Sequence, residues 1–139
     1  MRIVSFTVPG QPVAKGRARI TTSGGHVRSY TPEKTRRYEN QVAAYAAEAM
    51  RNMPLIGGPV EVVVDAFMMV PASWSLKKRL AAIAGQIKPV TKPDLDNIVK
   101  ALDGINGVIV VDDSQIVKLT ATKQYAETPQ LLVTVIGQE

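Results

Sequence analysis

Residues 59–71 read PVEVVVDAFMMVP, and no other stretch of the chain limits the possible folds so tightly. Val60, Val62, Val64, Ala66, Met68 and Val70 recur at period two and make one wholly apolar face, whereas Glu61, Val63, Asp65, Phe67 and Met69 make a mixed one. A strand with this pattern needs cover on one side and neighbours on both edges, so it belongs in the middle of a sheet. Asn52, Pro54, Gly57 and Gly58 punctuate the chain before it.

The remaining pattern supplies that sheet with partners and a covering layer. Arg2 to Val8 alternates, with Ile3, Phe6 and Val8 among polar neighbours, and Pro9 and Gly10 end it as a first strand. Thr31, Pro32 and Glu33 read as a helix start, and Tyr38, Val42, Tyr45, Ala46 and Ala49 give a helix over about 32–50 a buried face. Ser75 caps a short helix carrying Leu76, Leu80 and Ile83, which Gly85 stops. Val108 to Val111 reads as a short apolar run ending a strand, with strands again over Ile116–Tyr125 and Gln130–Ile136. This order of elements predicts an α/β (α+β) single domain over residues 1–139, a mixed sheet with helices packed against it. At 139 residues and 45% apolar content there is material for one core.

No run of about 18 apolar residues is present to span a bilayer, and the first ten residues alternate like a strand, not like a secretory signal. A soluble, cytoplasmic protein is the expectation, with no membrane partner. The chain has no cysteine and one histidine, His26, so any bound metal would be held mainly by oxygen.

Charge is unevenly placed. From Lys15 to Arg37 seven basic residues stand against Glu33 alone, while the whole chain carries a net charge of +5. The stretch from about residue 10 to 31, GQPVAKGRARITTSGGHVRSYT, reads as a basic loop or arm with a short hairpin about Ser23, Gly24 and Gly25. Lys15, Arg17, Arg19 and Arg28, continued by Lys34, Arg36 and Arg37 in the first turns of the helix, suit a polyanion such as DNA. Those helix cations oppose the dipole at that end, which suggests a task other than folding.

The acids gather elsewhere, in KPDLDNIVKALDGIN. A helix beginning near Asp94 puts Leu95, Ile98, Val99, Leu102 and Ile105 on an apolar stripe, and Asp96, Lys100 and Asp103 along another face. Taken alone, Asp94 is a cap and Asp96 with Lys100 an ordinary helix pair. The second pair, Asp112 and Asp113, follows VIVV. The link Gly104–Gly107 is short enough for Asp113 or Asp112 to return beside Asp94 and Asp96. Clustered carboxylates repel unless a cation joins them. Mg²⁺ prefers oxygen ligands and works with phosphates, so these residues with a nearby lysine fit a metal-dependent nuclease. One alternative is a non-catalytic protein that recognises branched DNA. Another is a phosphatase or phosphotransferase with Asp94 as nucleophile, although KPVTKP is a poor approach strand for a D-x-D site.

The string KPDLDNIVKALDGINGVIVVDDSQIVKL, with GQPVAKGRAR, YTPEKTRRYENQV and KQYAETPQLLVTV around it, resembles the RusA-type Holliday junction resolvases, small bacterial endonucleases often carried by prophages. The resemblance implies a homodimer that uses Mg²⁺, with Mn²⁺ as a substitute, to place paired symmetric nicks in a four-way DNA junction. It implies metal-binding carboxylates at Asp94, Asp96 and Asp113, with Asp112 in support, and an essential lysine at Lys100. The stretch GGHVRSYTP is where the chain departs from the family pattern.

Overall fold

The computed structural model describes residues 1–16, 19–30 and 32–138, without the side chains of Arg19, Thr21, Ser23, Arg28 and Tyr30. In chain order the elements are β1 (Arg2–Pro9), β2 (Arg19–Ser23), β3 (His26–Tyr30), α1 (Glu33–Met50), β4 (Val60–Met69), α2 (Leu76–Ile83) and α3 (Leu95–Val99), then β5 (Ile116–Ala126) and β6 (Gln130–Gly137). Two 3₁₀ segments, Lys100–Ile105 and Asp113–Gln115, lie between α3 and β5.

Four strands form one mixed sheet in the order β1-β6-β4-β5. β4 runs antiparallel to β6 and parallel to β5, so it is interior, as its pattern requires. Its even-numbered residues are all buried, joined by Val4, Phe6 and Val8 of β1 and Leu131, Val133 and Val135 of β6. Tyr38, Val42, Ala46 and Met50 of α1 close over that face, with Ile98, Leu102 and Ile105 beside them. Each fully buried Val or Leu contributes roughly 2 kcal/mol, so this shared face is the main source of stability. Along β1 the buried set is Val4, Phe6 and Val8, and Ile3 is 58% exposed.

The arm is partly regular. β2 pairs antiparallel with β3, with Ser23 opposite His26. Gly24 and Gly25 turn the chain at positive φ (63° and 79°), the pair that a type I′ two-residue hairpin loop demands. Arg17, Ala18 and Thr31 lie outside the described residues, and with Thr31 goes the expected cap of α1. The helix starts at Glu33 with Pro32 as its N-cap residue.

Three expectations are corrected. The acidic motif does not make one long helix: α3 ends at Val99 and the chain tightens into 3₁₀ geometry through Ile105. Here it lies hard against α1, so that a Cβ on Gly104 would come within 2.6 Å of the Glu39 carbonyl oxygen. Nor does VIVV end a strand. Gly107 N–H donates to the Val110 carbonyl (2.7 Å) and Ile56 N–H to that of Ile109 (2.7 Å), making a buried hook with isolated bridges at Val110. Finally, Leu76, Leu80 and Ile83 of α2 face outward, and Ala82 is the buried residue of that helix. The Ser75 hydroxyl does accept from Lys78 N–H at its start. No helix among the described residues is long and apolar enough to cross a membrane.

Candidate metal and nucleic-acid site

The start of α3 is fixed from three sides. Asp94 adopts extended backbone geometry as its N-cap residue, and its carbonyl accepts from the N–H groups of Asn97 and Ile98, both at 3.1 Å. Lys123 of β5 reaches the carbonyls of Thr91 (2.8 Å) and Pro93 (3.0 Å). On the other side, Lys15 N–H donates to the Asn97 carbonyl (2.9 Å), bringing residues 11–16 alongside the helix. Gly16 N–H then donates to the Thr35 hydroxyl (2.8 Å), joining the same segment to α1.

Several of the candidate polar residues, here and before β5, are consumed by internal bonds. The Lys15 ammonium meets Asp103 at 2.6 Å and Glu39 at 3.5 Å, so it has two carboxylates of its own before any phosphate arrives. Hydrogen bonding to Asp103 is the main reason its pKa is raised. Asp112 accepts from Ser114 N–H (3.2 Å), and Ser114, through its side chain first and its backbone next, holds that carboxyl below the usual carboxylate range. Gln115 completes the capping box. Its Oε1 accepts from the N–H groups of Val111 and Asp112, and its Nε2 donates to the carbonyls of Ile56 and Gly58, each at 2.8 Å. Gln115 escaped the reading of residue types, although D-x-x-Q in DDSQ is a capping-box signal.

Three carboxylates are treated differently. Asp94 makes no side-chain cap bond, against the expectation that it caps α3. Lys100 Nζ donates to Asn97 Oδ1 (3.2 Å), so the expected Asp96–Lys100 pair does not form. Asp94, Asp96 and Asp113 are all exposed. Among the described residues none of the three has a hydrogen-bonding or ion-pairing side-chain partner.

One chain alone does not gather them. Among the described residues no three acidic or histidine side chains stand close enough to share an ion. Lys123 ties the start of α3 to the C-terminal half of β5, whereas Asp113 immediately precedes that strand. From Ile116 to Lys123 the strand runs about 23 Å at ~3.3 Å per residue. The short link therefore returns the chain beside the end of the 3₁₀ segment, not beside the start of α3, and the expected convergence is absent within the chain. The donor chemistry still suits Mg²⁺, a hard ion that takes one or two carboxylates and keeps several waters.

Of the expected DNA contacts, Arg36 and Arg37 are exposed in the first turns of α1, with Arg37 also 2.8 Å from Glu33. Arg17 and the side chains of Arg19 and Arg28 lie outside the described residues. Lys118 pairs with Glu61 at 3.6 Å.

The Lys15 latch has a pH signature. A lysine whose folded pKa exceeds its ordinary 10.5 adds stability that is fully present below 10.5 and lost as pH rises through the raised value. Lys15 and Asp103 keep 30% and 41% of their side-chain surface in water, so screening limits the gain to about 0.5 kcal/mol. Urea unfolding should find Lys15→Met less stable than the parent by that amount at pH 8. The gap should close progressively above pH 10.5.

A family model described as endodeoxyribonuclease RusA matches residues 9–136. The chain is 40% identical over 136 residues to the uncharacterized protein YqaN of Bacillus subtilis (strain 168), an alignment covering 96% of this chain and 95% of that protein.

Proposed function

Since this chain belongs to the RusA endodeoxyribonuclease family, we propose that it is a Mg²⁺-dependent homodimeric nuclease that resolves four-way DNA junctions by paired nicks. The observation that carries the proposal is selective: Asp103, Asp112, Lys15 and Gln115 are bound into the fold, while Asp94, Asp96 and Asp113 are left exposed and uncommitted. Exposed acids without a partner among the described residues add little to folding, and next to a basic surface they suit an ion that meets phosphate.

The dimer would complete the set. β5 is an edge strand, and Val117 and Leu119 at its N-terminal end are 63% and 47% exposed, with Val111 before it 65% exposed. A long edge with exposed apolar residues is a template for strand addition. If two copies pair β5 antiparallel about a two-fold axis, the start of one strand meets the end of the other. The partner's Asp113 would then approach Asp94 and Asp96, and their placement at opposite ends of β5 within one chain becomes the reason for the dimer. Two such sites related by the same axis match the two strands of a symmetric junction.

In this arrangement Asp94 and Asp96 would hold the ion from one chain and the partner's Asp113 from the other. Mg²⁺ bound there, or Mn²⁺ in its place, supplies a polarised phosphoryl oxygen and an activated water. Lys100, whose ammonium donates to the Asn97 amide at 3.2 Å, would turn to the scissile phosphate and offset the charge that builds on it. Arg36 and Arg37, with Arg17, Arg19 and Arg28 of the arm, would hold flanking phosphates and so position the duplex arms. Such a protein works in the cytoplasm on chromosomal or phage DNA.

The test is purified protein with a synthetic four-way junction, a linear duplex and a flap, in Mg²⁺ or EDTA. The expected result is paired nicking of the junction in Mg²⁺ alone. Equal cutting of all three would leave a nuclease and remove the resolvase; junction binding without cutting would favour a non-catalytic branched-DNA binder.

A further inference from the structure

Beside Asp94 lies a groove of about 1010 Å³ that none of the roles above uses. One wall is the arm, with Pro12 buried and Val13 and Ala14 half-buried; the other is Pro32 and Pro93, both half-buried. These are small, flat or ring-bearing apolar surfaces, and the polar side chains that also line the groove, Gln11, Thr35 and Asn97, each already accept an internal hydrogen bond. The charged groups stand at the margin: Lys34 on α1 and Lys92 before α3, both exposed, and Asp94 itself. An apolar cleft rimmed by cations, opening beside a candidate ligand of the metal, matches a nucleotide in its two parts. The base is an apolar plate, and its phosphate is an anion.

We propose that this groove receives one unstacked nucleobase of the DNA, from a nucleotide next to the scissile phosphate, and so contributes to the choice of cleavage position. This rests on the nuclease reading above and adds a specificity subsite to it. The space exceeds what one base needs, which leaves room for the attached sugar. Lys34 and Lys92 then meet the phosphates on either side of the flipped nucleotide. The groove is held open by bonds already described: Lys15 N–H to Asn97, Gly16 N–H to Thr35, and by Gln11 Oε1 accepting from Met69 N–H at 2.8 Å. Gly16 sits where a Cβ would come within 3.1 Å of the Thr35 hydroxyl and 3.2 Å of Pro32 Cγ, so the arm approaches α1 as closely as backbone allows. A preformed cleft of this kind favours extrusion where a base is already loosely stacked, as at a branch point.

The experiment uses the wild-type chain and a set of junctions in which each base within four nucleotides of the cut is replaced in turn by 2-aminopurine or by an abasic site. With EDTA present, bound junction should show enhanced 2-aminopurine fluorescence at a single position. With Mg²⁺, an abasic site at that same position should slow nicking about tenfold, the factor expected from losing one buried apolar contact of this size. Ala14→Phe, which fills the cleft, should abolish the fluorescence change and equalise cutting of the intact and abasic junctions. Nicking that is indifferent to every replacement, with fluorescence unchanged throughout, would overturn the subsite and leave the nuclease standing. A position-specific fluorescence rise without nicking would support the groove while removing the nuclease. Because the scan needs no variant, its outcome stands even if the Ala14→Phe chain misfolds.

Discussion

A heterodimer of Asp96→Asn and Asp113→Asn chains should cut DNA, although each variant alone is inactive. With composite sites, one site of the mixed dimer receives both defects and the other receives none. The intact site joins wild-type Asp94 and Asp96 of the Asp113→Asn chain to wild-type Asp113 of the Asp96→Asn chain. Heterodimers purified through two different tags should therefore nick at about half the wild-type rate per dimer, leaving one cut per junction where the wild type leaves two. If Asp113 instead served the Asp94 and Asp96 of its own chain, each site of the heterodimer would lack one ligand and no cutting would return. Asp94→Asn paired with Asp96→Asn is the control, since both residues belong to the same half-site and neither site is repaired. The prediction follows from topology: Lys123 fixes the start of α3 at one end of β5, and Asp113 stands at the other.

That separation is also where sequence reasoning stopped. Periodicity revealed β4, α1 and β6, because each buries a face whose spacing is set by its own backbone. Gly24 and Gly25 announced their turn by a conformation that other residues resist. The motif from Asp94 to Ile105 was harder: the same apolar residues, Ile98, Leu102 and Ile105, are buried whether the chain is α-helical or tightens to 3₁₀. Contacts invisible in local pattern accompany the change, Gly104 against α1 and Asp103 against Lys15. VIVV shows a related ambiguity, since a continuous apolar run fits a buried hook as well as a strand. The outward stripe of α2 obeys helical spacing yet lacks a described cover. As for the site, residue types singled out the acids but not which were spent internally. Asp103 and Asp112 differ from Asp96 and Asp113 through Lys15 and Ser114, partners supplied by the fold.

That difference sets the effect of single substitutions. Asp96→Asn keeps the shape of the side chain and one oxygen while removing its charge. Since Asp96 is exposed with no described partner, unfolding by urea should find its stability within about 0.5 kcal/mol of the parent. Nicking in Mg²⁺ should fall about a thousandfold, in line with the several kcal/mol that a properly held ion supplies to phosphoryl chemistry. Junction binding in EDTA should survive and tighten slightly, because one negative charge facing phosphate has gone and no metal is there to mask it. Asp103→Asn should behave in the opposite manner: it weakens the Lys15 latch and lowers stability, while leaving the proposed ligands Asp94, Asp96 and Asp113 untouched. Gel-shift and nicking assays on the two variants separate the roles. An Asp96→Asn chain that lost junction binding or unfolded early would identify that carboxylate as part of the framework and not as a ligand.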